Sequence, residues 1–245
     1  MNEIKGHMSN KNVIVTGGSR GIGRSIVKQL AGHGANVLFT YNNNETAAKE
    51  TEALASGSKG IKADMTNLSD INRLFEEANT YFSNKIDVVI LNAFPTAVFK
   101  PTIAMSEAEY DSMFNGSKGN YFALQNAAKL IADGGRIVVL SSGAARQAGM
   151  AGGAYGAAKA AVERFTLALS KELGSRNVSV NVVAPGVTET EGLIAPQQMI
   201  DMLKSQIPFG RLGQPDEVAS AIVMLTLPET GCINGQIIGA NGGLM

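Results

Sequence analysis

Short apolar, β-branched runs alternate with helical stretches along almost the whole chain, a pattern that few folds accept. The runs are Val13–Val15, Asn36–Thr40, Gly60–Ala63, Ile86–Leu91, Ile137–Leu140, Val178–Val183 and Gln236–Ile238. Between them, Ile22, Ile26, Val27 and Leu30 recur at helical spacing and Gly32 and Gly34 close the first helix. Further helices are predicted over Thr46–Ala55, Ser69–Phe82 (capped by Ser69), Ser106–Ile131 (broken near Asn115-Gly116-Ser117), Ala154–Leu173, Pro196–Gln206 and Pro215–Leu225. Strands alternating with helices require crossovers, which predicts an α/β, doubly wound parallel sheet with helices on both faces. No linker, repeat or low-complexity segment divides residues 9–245, so one domain is expected. In such folds ligands bind outside the carboxyl ends of the strands, where Gly17, Asp64, Asn92, Ser142 and Pro185 all fall.

The first strand runs into Thr16-Gly17-Gly18-Ser19-Arg20-Gly21-Ile22-Gly23 and then into a helix. Glycines let the backbone approach a pyrophosphate, and the helix N-terminus presents N–H donors and a positive dipole end. Gly17, Ser19, Arg20, Gly21, Ile22 and Gly23 are therefore candidate phosphate-cradle residues. The second strand ends at Tyr41-Asn42-Asn43-Asn44, with no carboxylate before Glu45 to accept from a ribose 2′-hydroxyl. Arg20 is a suitable partner for a 2′-phosphate, with Ser19, Tyr41 and Asn42 nearby, and this points to NADPH rather than NADH. The plainer alternative is that Arg20 is a solvated loop cation.

The run Ile137–Leu140 ends in two serines, and a small-residue loop leads to Tyr155 and Lys159. On one helix the i,i+4 spacing puts phenol and ammonium on one face. A neighbouring positive charge is expected to lower the phenol pKa and make Tyr155 a general acid. Ser142 is the candidate for holding a substrate carbonyl. A second pair at the same spacing, Tyr81 and Lys85, lies at the end of a polar helix without an upstream serine and reads as surface decoration.

Formal net charge is zero, which argues against a general nucleic-acid or anionic-membrane binder. The one cysteine, Cys232, excludes an internal disulfide and suggests a reducing compartment, the cytoplasm being the expected location. No apolar run reaches the length of a membrane span, no signal-peptide core is evident, and no residue is assigned to a metal. Residues 1–8 read as a loosely attached extension or expression scar, with Met8 as a possible natural start.

Taken in order, TGGSRGIG from Thr16, Asp64, Asn92-Ala93, Ser142, Tyr155 with Lys159, NVVAPG through Gly186, RLGQPDEVA from Arg211 and the tail NGQIIGANGG resemble the short-chain dehydrogenase/reductase family. The 3-oxoacyl-[acyl carrier protein] reductase branch is the most similar. The resemblance implies a Rossmann fold, with Tyr155 as proton donor, Lys159 on the nicotinamide ribose and Ser142 on the carbonyl. It adds Asp64, Met65, Asn92, Ala93, Pro185 and Gly186 to the cofactor site, and it turns the backbone at Val187 and Thr188, with Thr190, toward the carboxamide. Two positions depart from the family pattern. Phe94 replaces a small residue beside the cofactor channel, and Gly116 stands where many members carry an asparagine that holds a relay water, Asn115 lying one step earlier.

The expected activity is NADPH-dependent reduction of a ketone or aldehyde, with 189–209 as a substrate lid whose Ile194, Met199, Ile200, Met202 and Leu203 suggest an apolar pocket. The expected substrate is a small carbonyl compound, an acyl-carrier-linked one among the candidates, although Lys204 and Arg211 alone make a poor docking site for an acidic carrier. A low-turnover nicotinamide sensor and a same-fold alcohol dehydrogenase, dehydratase or epimerase are the alternatives. By analogy with the family, the Ala154–Leu173 helix is expected to pair copies into a homo-oligomer, a tetramer or else a dimer.

Overall fold

In the computed structural model, which describes residues 7–149 and 151–244, one seven-stranded sheet runs through the molecule. Its strands are β1 (Asn12–Thr16), β2 (Asn36–Tyr41), β3 (Ser58–Lys62), β4 (Ile86–Leu91), β5 (Ile131–Leu140), β6 (Ser179–Pro185) and β7 (Ile237–Ala240). The order is β3-β2-β1-β4-β5-β6-β7 and every pairing is parallel. The helices are α1 (Gly21–Gly32), α2 (Glu45–Leu54), α3 (Leu68–Tyr81), α4 (Glu107–Leu130), α5 (Gly153–Glu172), α6 (Gln197–Gln206) and α7 (Pro215–Met224). The strand order reverses between β1 and β4, which opens a crevice at the carboxyl edge.

The strands read as continuous apolar runs because both faces are covered. Val13, Val15, Val37, Phe39, Val88 and Ile90 pack on one side with Ile26 and Leu30 of α1 and Val218 and Ile222 of α7. The alternate residues Ile14, Leu38, Val89 and Leu91 pack on the other with Leu74 of α3, Leu124 of α4 and Val162 of α5. Successive side chains of a strand point to opposite faces, so one register fills both cores at once.

Several boundaries differ from the sequence expectation. Helix α3 is capped by Asn67, whose side chain accepts from the Ser69 and Asp70 N–H groups, rather than by Ser69. Strand β3 begins earlier, at Ser58, because Val37 pairs with it. Strand β5 starts at Ile131, across Asp133-Gly134-Gly135, with a register shift between Ile86 and Val88 on its partner. Helix α4 runs unbroken through Asn115-Gly116-Ser117. There the Ser117 hydroxyl donates to the Ala158 carbonyl at 2.7 Å and the Asn120 amide to the Gly116 carbonyl at 2.9 Å. Packing against α5 outweighs the weak helix propensity of glycine, roughly 1 kcal/mol.

The expected loose extension also fails where it can be seen. Met8 is 1% exposed within the core, and its sulfur accepts from the Thr226 hydroxyl at 3.8 Å. Residues 1–6 lie outside the described residues.

Candidate active site

A cleft of ≈ 680 Å³ lies along the carboxyl edge of the sheet, and it gathers the sequence-predicted residues from widely separated segments. Gly17, Ser19, Arg20, Gly21, Ile22 and Gly23 line it from the loop after β1. Tyr41 and Asn42 follow β2, Asp64 and Met65 follow β3, and Asn92 and Ala93 follow β4. Ser142 follows β5, Tyr155 and Lys159 project from α5, and Pro185, Gly186, Thr188 and Thr190 follow β6. The Val187 carbonyl instead accepts from the Gly213 N–H at 3.0 Å.

The glycine loop is held in a shape only its own sequence permits. Gly17 sits at φ +70° and Gly21 at φ +52°, conformations that side-chain-bearing residues rarely adopt. A Cβ on Gly23 would lie 1.9 Å from the Gly17 carbonyl oxygen, so the helix could not close on the turn. Thr40 braces the loop from β2: its hydroxyl accepts from the Gly17 N–H at 2.9 Å and its carbonyl from the Gly18 N–H at 2.9 Å. From β4, the Asn92 amide donates to the carbonyls of Thr16 (3.0 Å) and Gly17 (2.9 Å). Asn92 is thus a brace of the loop whose donors are already committed. An Asp64 carboxylate oxygen accepts from the Thr66 N–H at 2.9 Å and the Thr66 hydroxyl at 2.8 Å, fixing the turn after β3.

The loop also shows that it takes an anion. The Gly21 N–H, at the N-terminus of α1, donates to the Glu191 carboxylate at 3.0 Å. Arg24 is engaged with the Ser19 carbonyl at 2.8 Å and with Glu50 at 3.2 Å. Arg20 lines the cleft, is exposed, and has no ion-pair partner among the described residues. No carboxylate lines the cleft at the end of β2. These residues fit a phosphorylated dinucleotide. Among them Thr40 and Glu191 escape the sequence reading: a threonine ending a strand carries no distinct signal, and Glu191 reaches the loop from across the molecule.

At the other end of the cleft, Ser142 caps the turn after β5, its hydroxyl accepting from the Ala144 N–H at 3.3 Å. The Tyr155 ring meets Phe94 and Phe99 edge to face, with centroids 5.9 and 5.4 Å away. Burial raises the pKa of the Tyr155 phenol, and a hydrogen bond with Ser142 opposes that rise only in part. This reverses the expected direction. The site is dry enough that desolvation of the phenolate dominates, and Lys159 contributes no depression. Lys159 is 4% exposed, and its ammonium group donates to the Leu140 carbonyl at 2.9 Å. Burial pushes its pKa down to about 7, while Glu163 pulls upward. A phenol kept protonated beside a lysine poised near neutrality is a workable proton-donating pair.

Asn115 is exposed on the regular helix α4 and does not line the cleft. The Tyr81 ring is 51% exposed, with Lys59 over it at 5.1 Å, far from this chemistry as expected. Among the described residues no cluster of His, Cys, Asp and Glu could hold a metal ion.

A family model described as enoyl-(acyl carrier protein) reductase matches residues 17–245. A hydroxynaphthalene reductase-like protein of Metarhizium brunneum is 36% identical over 256 residues, covering 96% of this chain and 95% of that protein. A short-chain dehydrogenase/reductase from Serratia marcescens superposes with a TM-score of 0.93 at 30% identity, covering 97% of this chain and 98% of that one. The crystal structure of an angucycline C-6 ketoreductase with bound NADP superposes at 0.90 with 31% identity, covering 98% and 97%.

Proposed function

The chain belongs to the short-chain dehydrogenase/reductase family, and from that premise we propose that it is an NADPH-dependent carbonyl reductase. Membership makes it an oxidoreductase acting on CH–OH or C=O groups. The reading rests chiefly on one observation: Ser142, Tyr155 and Lys159 converge at one end of the cleft whose other end is the anion-accepting glycine loop.

NADPH supplies the hydride for such a reduction. The chain's part is to bind, orient and protonate. The loop from Gly17 to Gly23 and the N-terminus of α1 seat the pyrophosphate, and Arg20 takes the 2′-phosphate. The bound NADP in the angucycline ketoreductase supports that choice. Lys159 holds the nicotinamide ribose, and Pro185, Gly186, Thr188 and Thr190 face the carboxamide. Ser142 orients the substrate carbonyl by hydrogen bonding, and the Tyr155 hydroxyl gives its proton to the carbonyl oxygen.

Phe94 and Phe99, set against Tyr155, give the substrate end aromatic walls and favour aryl or fused-ring ketones over 3-oxoacyl thioesters. The segment 189–209 acts as the lid; its Ile194 is 93% exposed and Met199 and Met202 are half exposed, apolar surface available to a substrate. A homo-oligomer paired through α5 and a cytoplasmic location, in keeping with the single free Cys232, belong to the same reading.

The test is steady-state NADPH oxidation against a panel of aryl ketones, fused-ring ketones, aldehydes and 3-oxoacyl thioesters. Turnover of at least one class, abolished by Tyr155→Phe, supports the assignment. Dinucleotide binding without turnover on any of them would favour a sensor instead.

A further inference from the structure

The two positions that depart from the family pattern touch each other. A Cβ on Gly116 of α4 would lie 2.9 Å from Cε2 and Cζ of the Phe94 ring and 2.5 Å from Pro95 Cδ. The Phe94 ring in turn lies under the Lys159 ammonium, with Nζ 3.9 Å from the ring centroid. We propose that Phe94 is a positioning residue that holds the Lys159 ammonium on its ring face, and that Gly116 is bare because that ring and the adjoining Pro95 need its space.

A buried ammonium has three donors to satisfy and a desolvation cost to offset. The Leu140 carbonyl takes one donor, at 2.9 Å. An aromatic face within about 6 Å attracts a cation through its quadrupole, most strongly when water is excluded, so the ring supplies a second contact. The other ionisable groups around Lys159 are Tyr155 and Glu163 on its own helix, and Arg146 from the turn after β5, whose Nε lies 3.7 Å from Glu163. Glu163 is 6% exposed and pulls the lysine toward its charged form, but burial outweighs it. The ring face therefore acts on a lysine balanced near neutrality, where a small contribution changes the charged fraction most.

The ring has little freedom to leave. It meets Tyr155 edge to face and packs against the core under α4 and α5. Helix α4 cannot retreat from it either. Ser117 ties the helix to α5 through the Ala158 carbonyl at 2.7 Å, and the Asn120 amide closes on the Gly116 carbonyl. A side chain at position 116 would have to displace Pro95 and the ring beside it, and with the ring the contact to Lys159.

The inference rests on the assignment of Lys159 to the active site, but its test needs no substrate. Lysines labelled with carbon-13 at Cε are titrated by NMR in the full chain, and Lys159 is assigned by the loss of its signal in Lys159→Met. Phe94→Leu keeps an apolar side chain but removes the ring face, so the Lys159 midpoint should fall by about half a pH unit or more, the weaker end of a cation–π contact. Gly116→Ala should lower it in the same direction by displacing the ring. Adding Gly116→Ala to Phe94→Leu should then cause a smaller further fall than Gly116→Ala causes alone, since the ring is gone and only the contact with Pro95 remains. An unchanged or raised midpoint in Phe94→Leu overturns the proposal, as do shifts that simply add in the double variant. Should Gly116→Ala fail to fold, the Phe94→Leu titration decides alone. If the midpoints move as stated while no carbonyl is turned over, the reductase reading fails and the Phe94 assignment stands.

Discussion

The Glu191 carboxylate accepts the Gly21 N–H at 3.0 Å, which ties the segment after β6 to the first turn of α1. Arg24 Nη1 lies 3.9 Å from the other carboxylate oxygen. A helix N-terminus favours negative charge, and here it favours a protein carboxylate at the seat a cofactor pyrophosphate requires. Two anions cannot share it, so Glu191 should compete with a cofactor pyrophosphate seated there.

Glu191→Gln removes the competing charge while keeping the shape of the side chain. NADPH should bind the variant about two- to fivefold more tightly, the scale of one charge at an exposed helix terminus, and the gain should shrink with added salt. Calorimetric titration measures it directly. Weaker binding would mean that Glu191 helps to hold the cofactor rather than to exclude it.

Arg20 is the cofactor-discriminating residue if the cleft takes NADPH. Arg20→Ala should weaken NADPH binding by roughly tenfold or more, the scale of a charge-assisted hydrogen bond, and leave NADH nearly unaffected. Titrating both cofactors against both proteins gives the ratio. An equal loss for the two would reassign Arg20 to the shared pyrophosphate.

The sheet was legible in the sequence because each central strand is buried on both faces, which leaves an unmistakable apolar run such as Ile86–Leu91. The glycine loop was legible because strand, turn and helix adjoin in sequence. What stayed hidden depends on contacts between distant segments. Nothing local in Asp133-Gly134-Gly135 announces a strand; these residues bulge between Ile131, which pairs with Ile86, and Arg136, which pairs with Val88. Gly116 reads as a helix breaker until α5 is packed beside it. The Tyr155 pKa runs opposite to expectation because spacing along a helix reports a neighbouring charge but not the dryness of the site. Met8 reads as part of a loosely attached extension because a single apolar residue in a polar stretch carries no period, yet it is buried in the core against Thr226.

Burial of Lys159 costs stability at any pH below its ordinary pKa of 10.5, and costs most below about 7. Its pKa is lowered to about 7 from an ordinary 10.5, so between those values the unfolded chain binds the proton and the folded chain does not. Stability therefore rises with pH through that window, and the penalty is full below it. Lys159→Met should raise the melting temperature of the cofactor-free protein at pH 7, at about 2–4 °C per kcal/mol for a chain of this size. The gain should shrink toward pH 10, less the cost of leaving the Leu140 carbonyl without its donor. Melting curves at several pH values test the sign. A gain that grows with pH would show that the buried lysine is not carrying the depressed pKa.

The proton donor is the assignment on which the site turns. Tyr155→Phe removes one oxygen and keeps the ring, so the edge-to-face contacts to Phe94 and Phe99 at 5.9 and 5.4 Å survive. NADPH binding should persist while turnover falls by about 10²-fold or more, the scale of a positioned general acid. Ser142→Ala should likewise act mainly on turnover, because its hydroxyl bonds with the phenol and is assigned to the carbonyl rather than to the cofactor. The two losses should not add when combined, since both serve the same proton transfer. Tyr81→Phe is the matched control, and at an exposed ring under Lys59 it should change neither binding nor turnover. Wild-type turnover in Tyr155→Phe on a verified substrate would remove the phenol from the mechanism. If Lys159 then took over as donor, the rate should decline through its pKa of about 7 as the ammonium form is lost.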